Sequence, residues 1–345
     1  MVNHDEGVGL SPGLSALTLL DLIEAAGALA DGMSARVELR PDDASVAVQN
    51  WCRRTGNLVS ASGPGWVVIR RGRPSQGLPS DSARSLASRV WIYTNFDCNL
   101  KCDYCCVRSA PGIPRRELGL DRIETIAGEA AEMGVKDMFL TGGEPFLLPY
   151  IDRAVIACTN AAPTTLLTNG MLFRGRRRSL LEAMPRANFA LQISLDSAQP
   201  ERHDRHRGAG SWQRAIEGIK IARAAGFRVR VASTIGLEDR NEMEEEKEMH
   251  ELCDQIGIDR GDRIIRRVAK RGRANEGVVL TTEGLIPEIT YTDRGVFWHP
   301  VGADDPDMMI ADRVIPLSAA VERANQRRAM QLDQEAAAAS EFPCA

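Results

Sequence analysis

Two hydrophobic periods alternate along this chain. From Leu14 to Ala30 apolar residues recur at helical spacing, with Leu17, Leu20, Leu22, Ile23 and Ala26 marking a face. The run stops at Asp31-Gly32, a helix-ending pair. Ala35–Leu39 alternates as a half-buried strand does, Ser45–Arg54 predicts a second short helix, and Trp66–Ile69 a second strand. These pieces predict a small α/β two-layer domain over residues 1–75. Residues 73–88 are rich in Pro, Gly and Ser, which places a linker at 76–88.

From residue 89 strand and helix patterns alternate. Strands are expected at Val90–Thr94, Lys136–Leu140, Thr164–Leu167, Phe189–Leu195, Arg228–Ser233 and Ile264–Val268. Helices are expected at 119–133, 148–160, 176–184, 211–225 and 240–255. Asp121 is the expected N-cap of the first, Glu124 completes a capping box, and Gly134 stops it. Repeated βα units imply parallel strands with right-handed crossovers, so the fold class is α/β: a partial (βα)6 TIM-type barrel over 89–275. Functional groups in such sheets gather at the C-terminal strand ends. Residues 276–345 break the pattern. Strand-like pieces at 278–281 and 288–291 and a helix-prone tail, Ser318–Ala339, predict a C-terminal extension covering the barrel.

Composition narrows the class. Of 345 residues, 43% are hydrophobic and 26% charged, which supplies an ordinary globular core. A net charge of −4 gives no global field for nucleic acid or an anionic membrane. The segment MVNHDEGVGL lacks a basic n-region followed by an apolar h-region, and no run of about 18 apolar residues exists, so a cytoplasmic protein is expected.

The candidate chemistry starts with cysteine. Of eight cysteines, Cys98, Cys102, Cys105 and Cys106 fall within nine residues, directly after the first strand of the βα run. Clustered thiols in a long chain point to a metal or redox group. Three thiolates spaced Cys98-x3-Cys102-x2-Cys105 suit an iron–sulfur cluster with one open iron; a zinc knuckle or core thiols are the bland alternatives. Cys106 lies beside a ligand and cannot easily share its metal. Gly142-Gly143-Glu144-Pro145 closes the second strand, where glycines permit close approach of a ligand to the backbone and a carboxylate can receive an ammonium. Thr168-Asn169-Gly170 ends the third strand. Ser194 and Asp196 end the fourth, on one face by the period of two.

Here the chain resembles the radical S-adenosylmethionine (radical SAM) superfamily, over roughly residues 89–275. The resemblance rests on the three cysteines, on Tyr104 just before the last of them, and on the strand–loop placement. It implies a [4Fe–4S] cluster on Cys98, Cys102 and Cys105. It further implies S-adenosylmethionine held by Tyr104, Gly142, Gly143, Glu144, Pro145, Asn169, Ser194, Asp196 and Arg207. Arg207 lies in His203-Asp204-Arg205-His206-Arg207, a segment similar to one that follows the Ser-Leu-Asp of that family; a solvated loop is the alternative. Asn241 is either a polar cofactor contact or an N-cap. Arg267, Arg271 and Arg273 either dock a substrate anion or form a solvated basic patch. The residues 174–178 read as a charged helix start, and Glu244–Glu246 as a solvent face.

The implied reaction is reductive cleavage of S-adenosylmethionine to a 5′-deoxyadenosyl radical that abstracts hydrogen from a small-molecule or peptide substrate, with a flavodoxin- or ferredoxin-type reductant. Only Cys253 and Cys344 follow residue 158, so a single cluster is expected. No cobalamin domain is evident, and sulfur insertion usually needs a second cluster. Epimerisation, dehydrogenation, rearrangement or C–C bond formation remain. A peptide-maturation enzyme that docks its substrate on the N-terminal domain, and a non-enzymatic iron–sulfur electron-transfer protein, are the alternatives. The N-terminal domain weakly resembles the TusA-like sulfur-carrier fold through its helix, ARVEL and DDASVAVQNWCRRTGN. It departs from that pattern at Leu10-Ser11-Pro12-Gly13, where carriers have Cys-Pro. Cys52 reads as a buried thiol.

Overall fold

The computed structural model describes residues 15–29, 33–41, 43, 47–48, 51–52, 57–71, 88–237, 242–282 and 285–341. The chain divides into two compact units, residues 1–84 and 85–345. The expected linker lies almost wholly outside the described residues, as do Asn241 and Cys344.

In the first unit, helix α1 (Ala16–Ala28) is capped by Ser15, whose hydroxyl accepts the Thr18 N–H. Strands β1 (Ser34–Glu38), β2 (Leu58–Gly63) and β3 (Trp66–Arg70) form an antiparallel sheet in the order β1-β3-β2. β2 is an addition to the sequence expectation: LVSASG is small and polar at most positions and carries little apolar signal. The buried face of α1 also differs. Thr18, Leu22 and Ala26 face inward, whereas Leu17, Leu20 and Ile23 are 59%, 60% and 52% exposed. Apolar residues surround this helix, and packing against the sheet selects the stripe spaced by four. Leu22 and Ala26 meet Val37, Val48, Trp51, Val67 and Ile69, and Cys52 is buried among them.

The second unit is built on a nine-stranded sheet in the order β12-β11-β10-β4-β5-β6-β7-β8-β9. Strands β4 (Arg89–Tyr93), β5 (Asp137–Thr141), β6 (Thr164–Thr168), β7 (Phe189–Ser194), β8 (Arg228–Ile235) and β9 (Arg263–Arg267) run parallel in sequence order. Helices α2 (Leu120–Glu132), α3 (Ile151–Ala161), α4 (Arg176–Ala183), α5 (Pro200–Arg207), α6 (Ser211–Ala224) and α7 (Glu242–Gln255) connect them. The expected α/β architecture with a parallel sheet is therefore present.

Strand β10 (Ile289–Thr292) adds parallel to β4 on its other side, followed antiparallel by β11 (Gly295–Phe297) and β12 (Met309–Ala311). The piece expected as a strand at 278–281 makes only an isolated bridge, Ala269 with Val278. Helix α8 (Leu317–Glu341) packs Leu317, Ala320 and Ala324 into the main core, and its first N–H is held by Glu129 at 2.7 Å. No helix of the described residues is long and apolar enough to cross a membrane.

Two details depart from expectation. The N-cap of α2 lies two residues before the expected one: it is Gly119, and Asp121 lies in the first turn without capping. An acidic side chain there still favours the positive end of the helix dipole. The stretch 200–207, given a solvated loop as its bland alternative, is a helix. It has no apolar stripe, but Pro200 opens it and its charges follow the dipole, with Glu201 first and Arg205, His206 and Arg207 last. Asp204 then caps the following helix, accepting from the backbone N–H of Gly210 and Trp212 and from the Ser211 hydroxyl.

Candidate functional site

A cavity of about 1120 Å³ runs along the inner face of β4–β9. Inward positions alternate along each strand, so Trp91 and Tyr93, Phe139 and Thr141, Gln192 and Ser194 all line it. At the C-terminal strand ends it reaches the loop after β4. Cys98, Cys102, Cys105 and Cys106 line it there, all as free thiols.

This loop is laced to its neighbours by short polar contacts. The Asn95 side-chain amide donates to the carbonyls of Asp97 and Glu144 at 3.0 and 3.1 Å. In return, Gly143 N–H donates to Asn95 O and Glu144 N–H to Asp97 O. The two glycines are dictated by this approach. A Cβ on Gly142 would stand 2.4 Å from Asn95 Oδ1, and one on Gly143 2.2 Å from Asp97 O. Their smallness thus serves the fit of β5 to the cysteine loop.

Glu144 is fully buried, and its carboxylate does not face the cavity. Oε1 accepts from Phe146 N–H at 3.0 Å and from the Thr168 hydroxyl at 2.8 Å; Oε2 accepts from Asn169 N–H at 2.8 Å. Burial raises its pKa although these donors oppose it. The carboxylate expected to receive an ammonium instead ties the end of β5 to the end of β6; Gly142 and Gly143 are what this turn presents to the cavity. Pro145 is buried and opens a short 3₁₀ turn. Asn169 lines the cavity and donates to Asn99 Oδ1 at 2.8 Å, one residue from Cys98.

Ser194 lines the cavity, whereas the Asp196 carboxylate is turned into a buried network. Arg207 grips it through Nε to Oδ2 at 2.5 Å and through a second guanidinium nitrogen to Oδ1 at 3.2 Å. The Tyr104 hydroxyl and the Thr234 N–H also donate to it. Burial acts to raise the Asp196 pKa, but the adjoining Arg207 charge and hydrogen bonds prevail and lower it. Helix α5 completes the assembly. The buried His203 ring accepts the Asp196 N–H at 3.1 Å, and the His206 ring meets Asp103 at 2.8 Å. Both histidines, weighed as solvated loop residues, face the cysteine loop or its anchor.

The Cys98 and Cys102 thiols resist ionisation on their own. Burial, then the Glu144 charge, pushes Cys98 up to about 12. Burial also raises Cys102, against the pull of Arg207. Among the described residues no three His, Cys, Asp or Glu groups are grouped to hold a single metal ion. A cubane takes one thiolate on each of three irons, so it asks for soft donors arranged around a cavity, and the three thiols supply that donor set. Cys106 packs with Tyr93, Phe96 and Ala303 and also borders the cavity.

The arginines picked from sequence are all engaged. Arg267 borders the cavity and pairs with Glu242 at 2.7 Å. Arg271 pairs with Asp305 and Asp307. The Arg273 N–H donates to Cys105 O, and its guanidinium to Arg108 O. Gly272, with φ +64°, lies against the Cys105 and Cys106 backbone, so this segment backs the cysteine loop. Sequence reasoning missed Arg266 and Gln192, which line the cavity; the strand pattern held the signal, but not which parity faced inward.

Comparison with known proteins gives this site a context. Residues 92–253 match the family model described as the Radical SAM superfamily. An AdoMet-dependent heme synthase of Methanosarcina barkeri is 31% identical over 163 residues, 46% of this chain and 45% of that protein. A GTP 3′,8-cyclase of Pelotomaculum thermopropionicum is 36% identical over 156 residues, 43% of this chain and 46% of the cyclase. The chain thus matches less than half the length of these relatives. The structure of native anSMEcpe with bound AdoMet and Cp18Cys peptide superposes with a TM-score of 0.51 at 12% identity, covering 69% of this chain and 81% of the other. That likeness concerns the fold.

Proposed function

Residues 92–253 are a radical SAM domain, and on that premise we propose that the chain is an enzyme binding one [4Fe–4S] cluster and S-adenosylmethionine in its cavity. The observation that carries this proposal is the meeting of three free thiols, Cys98, Cys102 and Cys105, with the Gly142–Gly143 turn at one end of a single cavity. The three thiolates would hold the cluster; metal binding would displace the protons that burial otherwise retains on Cys98 and Cys102. Such a cluster, when bound and reduced, supplies the electron that splits S-adenosylmethionine into methionine and a 5′-deoxyadenosyl radical, which takes a hydrogen atom from the substrate.

The protein's own part is to place and shield. The main chain of Gly142 and Gly143 offers carbonyls to the methionine amino group. Asn169, Ser194 and Arg207 offer polar contacts along the strand ends, and Glu144 and Asp196 hold those ends in place from behind. Tyr104, fixed by Asp196, keeps the loop between Cys102 and Cys105 in one conformation. The substrate is a small molecule or a peptide, and the electron donor a flavodoxin- or ferredoxin-type protein. Thiols that must stay reduced suit a cytoplasmic setting.

The test is anaerobic reconstitution of the full chain with iron and sulfide, followed by dithionite and S-adenosylmethionine. Formation of 5′-deoxyadenosine is expected. A protein that forms the cluster, with spectra indifferent to S-adenosylmethionine and no 5′-deoxyadenosine, would be an electron carrier instead.

A further inference from the structure

Among the described residues seven arginines line the cavity, and all but one have a partner, although Arg230 lies 3.7 Å from its carboxylate and its buried Nε makes no hydrogen bond. Arg89 is met by Glu288, Arg207 by Asp196, Arg228 and Arg230 by Asp262, and Arg267 by Glu242. Arg186 is spent on main-chain carbonyls, including Ala225 O at 3.2 Å. The Arg266 side chain has no hydrogen bond or ion pair among the described residues. It stands opposite Thr234 in the β8–β9 register, on the inward parity, and its side chain is exposed to the cavity. Its charge is felt at Tyr93, on the opposite strand β4.

A second group has the same property. Gln192, midway along β7, is only 6% exposed and borders the cavity. Its amide has no partner among the described residues. An amide without a protein partner that opens onto a cavity presents both a donor and an acceptor to what enters. A guanidinium without a counter-charge in a cleft offers a planar fork suited to two oxygens of one anion.

We infer that the substrate carries an oxyanion, a carboxylate or a phosphate, anchored by Arg266, and that Gln192 bonds the same bound molecule. This names a substrate class for the radical chemistry proposed above and rests on that proposal. Arg266 lies on β9 and its charge is felt at Cys106 in the loop after β4, so an anchored substrate would lie beside the cysteine loop. No step of bond making is assigned to Arg266; it positions.

The test is calorimetric titration of the full, anaerobically purified protein with pyrophosphate and, separately, with succinate. The wild-type protein should bind at least one of them; which one distinguishes phosphate from carboxylate. Arg266→Gln should weaken that binding at least tenfold, Arg266→Lys should recover part of it, and Gln192→Ala should weaken it less than Arg266→Gln does. Arg267→Gln, which removes a charge already met by Glu242, should bind as wild type. S-adenosylmethionine affinity of Arg266→Gln should stay within twofold of wild type. Binding of neither probe, equal binding by Arg266→Gln, or a parallel fall in S-adenosylmethionine affinity overturns the inference. The titration needs neither reductant nor turnover, so failure to form 5′-deoxyadenosine would strike the radical proposal and leave the anion result to stand or fall by itself.

Discussion

Tyr104 donates its hydroxyl to the carboxylate of Asp196, a residue 92 positions further along the chain. Tyr104 lies between Cys102 and Cys105, so the end of β7 holds the cysteine loop by its middle. The same carboxylate is paired with Arg207, which stands 5.5 Å from the Tyr104 ring.

Breaking this junction should cost both stability and cluster loading. Asp196→Ala strands the buried Arg207 charge, a change that costs about 3–5 kcal/mol. Tyr104→Phe removes one hydrogen bond to a charged acceptor, about 1.5–3 kcal/mol. Urea midpoints should fall in that order, and iron bound per chain after reconstitution should fall with them. Full iron loading in Asp196→Ala would show that the cysteine loop holds itself.

The cysteines should separate cleanly. Cys102→Ala should lose the visible cluster absorbance and 5′-deoxyadenosine formation together. Cys106→Ala should keep both, since Cys106 directly follows the expected ligand Cys105 and adjacent cysteines cannot easily share one metal. Removal of the iron with a chelator should abolish 5′-deoxyadenosine formation by the wild-type protein.

One substitution should act with opposite signs at two places. Gly143→Ala forces a Cβ to 2.2 Å from Asp97 O, where both atoms belong to backbone. Such overpacking costs about 1–3 kcal/mol. Gly128→Ala, on the exposed face of α2 with nothing within 4 Å, should instead stabilise by about 0.5–1 kcal/mol. Thermal melts of the two variants against wild type check the contrast.

His203 should make stability depend on pH. Burial, then the Arg207 charge, lowers its pKa from 6.5 to about 4. The unfolded chain therefore binds the extra proton first as pH falls. The contribution is complete above about 6.5 and is lost as pH drops toward the folded value. Between pH 7 and pH 5 the loss amounts to about 2 kcal/mol. Asp196, also lowered, acts in the same direction at more acid pH, from its unfolded value of about 3.9 downward. The urea midpoint of the wild-type protein should fall between pH 7 and pH 5, and that of His203→Gln should fall less. Parallel slopes would place the acid sensitivity elsewhere.

The sequence by itself determined the alternation of strands and helices, because each βα unit writes its own period of two and then of 3.6. It also determined the three cysteines and the Gly-Gly turn, because both are contiguous motifs on one strand end. It did not determine which way side chains point. The Glu144 and Asp196 carboxylates lie behind the cavity wall, and of the neighbouring cavity-lining arginines Arg267 meets a counter-charge on α7 while Arg266 does not, because a side chain's surroundings are set by what its strand packs against. The helix at 200–207 escaped detection for a related reason: its stability comes from His203, His206 and Arg207 docking on the cysteine loop and its anchor, and not from an apolar stripe. Local spacing is enough to place ligands along the chain, whereas contacts about a hundred residues apart, such as Tyr104 with Asp196, exist only once the parallel sheet has brought neighbouring strand ends together.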